Sequence, residues 1–194
     1  SRRGVTGFEW ANSIPGTVGG AVYGNAGAHG TDISQILQSV LVLTREDGTQ
    51  LLSSEEMGYQ YRSSQFKRDR KKVTILEATF VGQKANPEDC MNLLHELTEK
   101  RRITQPVGPS FGSTFKNPEG NFAGKLLAEA GMKGVVCGGA SFSTVHANFI
   151  VNNGGARAQD YYCPIRQGQK RVLEQSGVKL ELEIELLGEF EDVN

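Results

Sequence analysis

Residues 14 to 30, I-P-G-T-V-G-G-A-V-Y-G-N-A-G-A-H-G, constrain the chain more than any other stretch: six glycines in seventeen positions, with almost no charge. Glycine in an ordered segment costs backbone entropy. It is kept where φ must be positive or where the backbone must come close to something. Two readings follow. The run can be a set of tight turns at a packed corner, or it can wrap main-chain N–H and C=O groups around a large polar ligand. The residues alone leave both open. Loop and tight turn around short helical or extended pieces are expected there.

The rest of the chain mixes strand and helix patterns. Ser39–Thr44 reads as a strand, Glu46-Asp47-Gly48 as a turn and Thr49–Leu52 as the hairpin partner. Ser53-Ser54-Glu55-Glu56 has the form of a capped helix start. Val73–Val81 is a further β-rich run. Asn86-Pro87-Glu88-Asp89 combines a cap, a first-turn proline and two acids, and Cys90, Leu94 and Leu97 follow at helical spacing. That helix should stop near Arg101-Arg102, before Pro106. A second helix is expected over Ala123–Ala130, closed by Gly131. Ala147–Asn152 reads as a short buried strand. Residues 158–176 read as a helix stopped by Gly177, provided that Pro164 sits in the first turn or kinks it. Val178–Leu186 alternates cleanly and reads as the clearest strand, with Glu181, Glu183 and Glu185 on one face. No βαβ rhythm runs through this order and no G-x-G-x-x-G joins a strand to a helix, so an α+β fold is expected.

At 194 residues the chain can form one large or two small domains, and Gln105–Ser110, with its two prolines and a glycine, suggests a boundary. A net charge of −1 gives no electrostatic footprint for nucleic acid. Neither a signal peptide nor an apolar run of membrane-spanning length is seen. Cys90, Cys137 and Cys163 are odd in number and widely spaced, which points to reduced thiols and a cytoplasmic setting. With His29, His95 and His146 as the histidines, a zinc site is not expected.

Four places could carry chemistry. The glycine run is one. Tyr59–Phe66 holds Arg62, whose permanent charge can stabilise an oxyanion or simply lie over the tyrosines. Gly112–Pro118 gathers Ser113, Lys116 and Asn117 in a turn-prone segment: a proton carrier with phosphate- or uracil-binding groups, or a polar loop. Glu183 stands on a charged strand face that can equally be a solvated one.

These places, in this order, resemble the UDP-N-acetylenolpyruvoylglucosamine reductases, the MurB family of peptidoglycan synthesis. The likeness runs from about Gly4 to Gly188. It is carried by the run at 14–30, Y-R-S-S-Q-F at 61–66, G-S-T-F-K-N-P at 112–118, F-A-G-K-L-L-A-E-A-G-M-K-G at 122–134, H-A-N-F-I-V-N at 146–152 and L-E-L-E-I at 180–184. The resemblance implies an FAD-binding type-2 flavin domain with an α+β substrate domain, and an oxidoreductase using FAD with NADPH as hydride donor. Its substrate would be UDP-N-acetylglucosamine enolpyruvate and its product UDP-N-acetylmuramate. By the same resemblance Arg62, Ser113 and Glu183 are catalytic, with Ser113 giving a proton to C2. Ile14, Pro15, Gly16, Gly19, Gly20 and Ala21 face the flavin. Lys116 and Asn117, with Arg101, Arg102 and Gln105, contact the substrate.

The resemblance also divides the chain into residues 1–104 as part of the flavin domain, 105–180 as the UDP-sugar domain, and 181–194 as a return strand and tail. The family's G-N-G-S-N-type phosphate loop is not found in residues 1–13, so a truncated member is expected, with Phe8 and Trp10 exposed. Leu182, Glu185 and Val145 stand where the family often has proline, a basic residue and lysine. Two rivals remain: another oxidoreductase of the same flavin superfamily, and a flavin-free domain that binds a UDP-sugar.

Overall fold

The alternation read in the first half of the chain becomes a sheet with one buried face. The computed structural model describes residues 1–191. They fall into two units that divide between Lys100 and Arg101.

The first unit begins with β1 (Val5–Thr6), a 3₁₀ turn at Glu9–Ala11, helix α1 (Val18–Gly24) and the ribbon β2 (Gly27–Ala28) with β3 (Thr31–Asp32). Next come β4 (Leu37–Thr44), β5 (Gly48–Ser53), α2 (Gln65–Arg68), β6 (Val73–Phe80), β7 (Gln83–Lys84) and α3 (Pro87–Thr104), whose last turn falls past the division. β4 is central in an antiparallel sheet of order β5-β4-β6, and β7 pairs with β1. Val40 and Val42 of β4 are fully buried with Trp10, Val22, Ile33, Met57 and Phe66. Helix α1 lies on β6: a Cβ on Gly19 would stand 3.5 Å from Ile75 Cβ.

The second unit contains β8 (Ser110–Ser113), α4 (Ala123–Glu129), β9 (Val136–Cys137), β10 (Ala140–Phe142), β11 (Phe149–Asn152) and α5 (Ala158–Ser176). Its antiparallel sheet has the order β8-β11-β10-β9. Phe115, Leu127, Met132, Phe142, Ile150, Ile165, Val172 and Leu180 close the core. The α+β expectation holds. No helix among the described residues is long and apolar enough to cross a membrane.

Five local expectations are corrected. Residues 178–186 form no ladder. A single bridge joins Leu182 to Phe115, flanked by Lys116 N–H to Glu181 O and Glu183 N–H to Thr114 O. The alternation is nevertheless used, because Leu180, Leu182 and Ile184 pack on the core. Residues 192–194 of the predicted tail lie outside the described residues.

At Ser53–Glu56 the capping bonds form, Glu56 N–H to Ser53 Oγ and Ser53 N–H to Glu56 Oε2, yet they close a turn and not a helix. Gly58, at φ 54°, turns the chain away there. Pro164 sits beyond the first turn of α5, which is continuous through it although the N–H toward Asp160 O is missing. The start of that helix is held instead by the Asp160 carboxylate, which accepts from Arg157 N–H and Gly139 N–H. These bonds lower its pKa. Trp10 is buried, not exposed, and its indole N–H donates to Gly7 O.

The cysteines are the fifth correction. Cys137 and Cys163 are joined as a disulfide and Cys90 is a buried thiol. Their separation of 26 residues fits no motif; packing of α5 against β9 brings the Cα atoms to 6.4 Å. Closing a loop of this size should stabilise the second unit by about 3 kcal/mol. Reductant is therefore expected to lower its melting temperature. Cys163→Ser should start at the lower value and be indifferent to reductant in a thermal melt.

Candidate active site

In the first unit the glycine run resolves into a short helix with chemically defined ends. Thr17 Oγ1 caps α1 by accepting Gly20 N–H at 3.0 Å, and Asn25 ends it in the left-handed region at φ 49°. Ile14, Pro15, Gly16, Gly20 and Ala21 line one cleft of about 500 Å³ with Phe8, Trp10, Ile33, Ile36 and Phe80. Gly19, predicted with them, turns the other way and seats α1 on β6. The packed-corner reading holds at Gly19, while Gly16 and Gly20 contribute to the wall of a cleft. An apolar wall beside exposed main chain fits the flat conjugated ring of a flavin.

Arg62 occupies a tight turn in which Gln60 and Ser63 exchange backbone hydrogen bonds, Gln60 N–H to Ser63 O and Ser63 N–H to Gln60 O. Its φ is 55°, a region that long side chains rarely adopt. The guanidinium donates to Gly27 O at 2.6 Å and lies 5.0 Å from the Tyr61 ring centroid. Gly27 makes this approach possible: a Cβ there would stand 2.6 Å from Thr31 O and 3.0 Å from Arg62 Nη1. The remainder of Y-R-S-S-Q-F is structural. Ser64 is buried and caps α2, and Phe66 enters the core. Tyr59 donates its hydroxyl to Val22 O; burial and then the Asp32 charge raise its pKa.

The second unit carries a polar cleft of about 400 Å³ lined by Ser113, Asn117, Lys125, Lys133, His146 and Asn148, with Phe122 among its walls. Ser113 is the last residue of β8 and pairs with Phe149. Beyond it the Asn148 side chain takes over the pairing: Phe115 N–H donates to Oδ1 at 2.9 Å and Nδ2 donates to Phe115 O at 2.8 Å. Asn117 Oδ1 accepts Ala123 N–H, so this candidate substrate contact also fixes the start of α4. Lys116 meets Glu181 at 3.5 Å, a solvent-exposed pair of little energetic weight. The Glu183 N–H on Thr114 O brings that residue beside the end of β8. Arg101, Arg102 and Gln105 lie on and just after the last turn of α3, outside the lining of this cleft.

Sequence reasoning named none of Lys125, Lys133, Asn148 and His146 as site residues. The available signal was a polar Asn148 inside an apolar run, with one lysine within a predicted helix and another just after it. His146 Nδ1 accepts Asn148 N–H, which leaves the proton of the neutral ring on Nε2. Its ring is close to α4, where Gly124 supplies the space: a Cβ would come within 2.8 Å of His146 Cε1. Burial depresses the His146 pKa and Lys133 adds to the effect, against a backbone hydrogen bond that raises it. The folded state thus resists protonation while the unfolded state does not. Stability from this site is fully present above about pH 6.5 and is lost as pH falls below it. His146→Gln should flatten that part of the profile, measured as melting temperature between pH 7.5 and 5.5.

Residues 1–53 match the family described as FAD binding domain, and residues 103–187 match the C-terminal domain of UDP-N-acetylenolpyruvoylglucosamine reductase. A UDP-N-acetylenolpyruvoylglucosamine reductase of Lachnoclostridium phytofermentans is 46% identical over 186 residues, spanning 95% of this chain and 59% of the relative. The enzyme of the same name from Oceanobacillus iheyensis is 45% identical, over 95% of this chain and 60% of its own length. The crystal structure of UDP-N-acetylenolpyruvylglucosamine reductase (MurB) from Thermus caldophilus matches at a TM-score of 0.83 and 35% identity, over 95% of this chain and 65% of that one. The chain therefore spans about three fifths of the length of these curated relatives.

Proposed function

We propose that this chain, over the span it covers, is the flavin-facing and substrate-binding part of a UDP-N-acetylenolpyruvoylglucosamine reductase of peptidoglycan synthesis. The reaction is the NADPH-dependent reduction of UDP-N-acetylglucosamine enolpyruvate to UDP-N-acetylmuramate, which makes the protein a UDP-N-acetylmuramate dehydrogenase. In this reading residues 1–104 are part of the flavin domain and 105–180 bind the UDP-sugar; the segment from 181, expected to return to the flavin domain, instead bridges Phe115 and packs on the second unit's core. The observation that carries it is Ser113, a half-buried hydroxyl in a cleft shared with Asn117, Lys125 and Lys133.

FAD held there would supply the hydride-transfer chemistry, with NADPH as the reductant and the enolpyruvyl C3 as the acceptor. Ile14, Pro15, Gly16, Gly20 and Ala21 would hold its ring. Gly19 supports that wall from behind, through β6. Hydride arrival at C3 leaves negative charge at C2 and on the neighbouring carboxylate. Arg62, permanently charged, stabilises that charge. Ser113 then gives a proton to C2, and the strong basicity of the carbanion compensates for the weak acidity of a hydroxyl. Glu183 assists at the same centre by polarisation. Lys125 and Lys133, with Lys116, Asn117, Arg101, Arg102 and Gln105, offer charge and hydrogen bonds to the diphosphate and uridine.

A second reading has a specific basis, because the polar cleft is built wholly from the second unit. It is a flavin-free module that binds the UDP-sugar. The two separate on an absorbance spectrum. Protein equilibrated with FAD and freed of excess should keep a band at roughly 450 nm under the first reading, a property of the cofactor. A colourless protein that still binds UDP-N-acetylglucosamine supports the second. Under the first, Ser113→Ala should leave flavin reduction by NADPH intact and lower product formation about 10²- to 10⁴-fold. Equal loss of both half-reactions would remove Ser113 as the proton donor.

A further inference from the structure

Asn25 stands where helices most often place glycine. It ends α1 in the left-handed conformation, which costs a Cβ-bearing residue energy that glycine avoids, and it lies within a run that supplies glycine at 24, 27 and 30. An asparagine held there at 2% exposure is explained by its side chain. Oδ1 accepts Ser34 N–H at 3.0 Å. Nδ2 donates to Gln60 O at 3.0 Å and to Asp32 Oδ2 at 3.3 Å. From the end of α1 one amide thus reaches two further segments: β3 with the turn after it, and the turn that carries Arg62.

The last contact matters most. Gln60 O is the acceptor that closes the Arg62 turn, taking Ser63 N–H at 3.0 Å. Asn25 adds a second donor to that same oxygen. At the other end Asp32, which Asn25 also holds, is the register partner of Gly27, and Gly27 O receives the Arg62 guanidinium. Asn25 therefore ties down both the turn that presents Arg62 and the ribbon that receives it. Asp32 is fixed in turn by Ser34 Oγ at 2.6 Å.

We infer that Asn25 is the positioning residue for Arg62: its buried amide locks the left-handed Gln60–Ser63 turn to α1 and to the β2–β3 ribbon and so fixes where the guanidinium stands. The catalytic consequence rests on the reading of Arg62 given above. The positioning itself does not, and the experiment keeps the two apart.

Asn25→Gly retains the left-handed cap and removes the amide. Hydrogen exchange of the Ser63 N–H should accelerate at least about tenfold in this variant, with the β4 amides unchanged. Unchanged Ser63 exchange overturns the inference. So does equal acceleration across β4, which would make Asn25 a general stabiliser. A measurement on the unaltered protein guards against a variant that does not fold: the Asn25 side-chain amide protons should exchange more slowly than those of exposed asparagines, and equal rates overturn the inference. In turnover with FAD, NADPH and the enolpyruvyl substrate, Arg62→Ala tests the catalytic reading; unchanged turnover sinks that reading and leaves exchange to judge Asn25. If Arg62→Ala lowers kcat, Asn25→Gly should lower kcat about tenfold to a hundredfold with KM nearly unchanged. An unaltered kcat in that case overturns the inference.

Discussion

Main-chain groups that leave a helix or ladder and enter the interior must still be hydrogen-bonded, at a cost of about 1–3 kcal/mol for each that is not. In both units a buried asparagine meets this demand next to a residue proposed to do chemistry. Asn25 satisfies the backbone around the Arg62 turn. Asn148 satisfies both main-chain groups of Phe115, and its own carbonyl accepts Thr114 N–H, just past Ser113. The ladder between β8 and β11 is irregular between Phe149 and Val151, and past Ser113 the Asn148 side chain supplies both partners of Phe115. A carboxamide suits the task because it donates and accepts without carrying charge into a dry site.

Close approach is the second recurring device. The missing Cβ at Gly27 admits the Arg62 guanidinium, and the missing Cβ at Gly124 admits the His146 ring. Each side chain thus comes against main chain on one side, in addition to its ring contact with Tyr61 or Phe149. In each unit sheet and helix packing forms the core, an asparagine pairs main-chain groups that the ladders leave over, and polar residues proposed to do chemistry stand beside it.

Much of this was legible beforehand where one local rule acted alone. The β4–β5 hairpin followed from alternation and a Glu-Asp-Gly turn, α3 from its cap and first-turn proline, and α4 from Gly131. Reading failed where two rules competed. Ser53–Glu56 has the bonds of a capping box, but Gly58 follows before a helix can propagate. Val178–Leu186 has a strand's alternation and buries its apolar face, yet it bridges the sheet residues only at Leu182, because periodicity specifies a face and says nothing of a neighbour. Pro164 broke a rule that the packing of α5 overrode.

The sequence by itself determined the α+β class, most of the elements and the resemblance, because glycine spacing, caps and alternation are local and the motifs stand in a fixed order. Only the tertiary structure decided that Cys137 meets Cys163, that Gly19 faces β6 while its neighbours line the cleft, and that Lys125, Lys133 and His146 join Ser113. It likewise decided that Asn25 reaches Gln60, a partner 35 positions away. These pairings have no local signature: they arise when separately formed elements bury their apolar faces, and that packing alone sets which polar side chains meet.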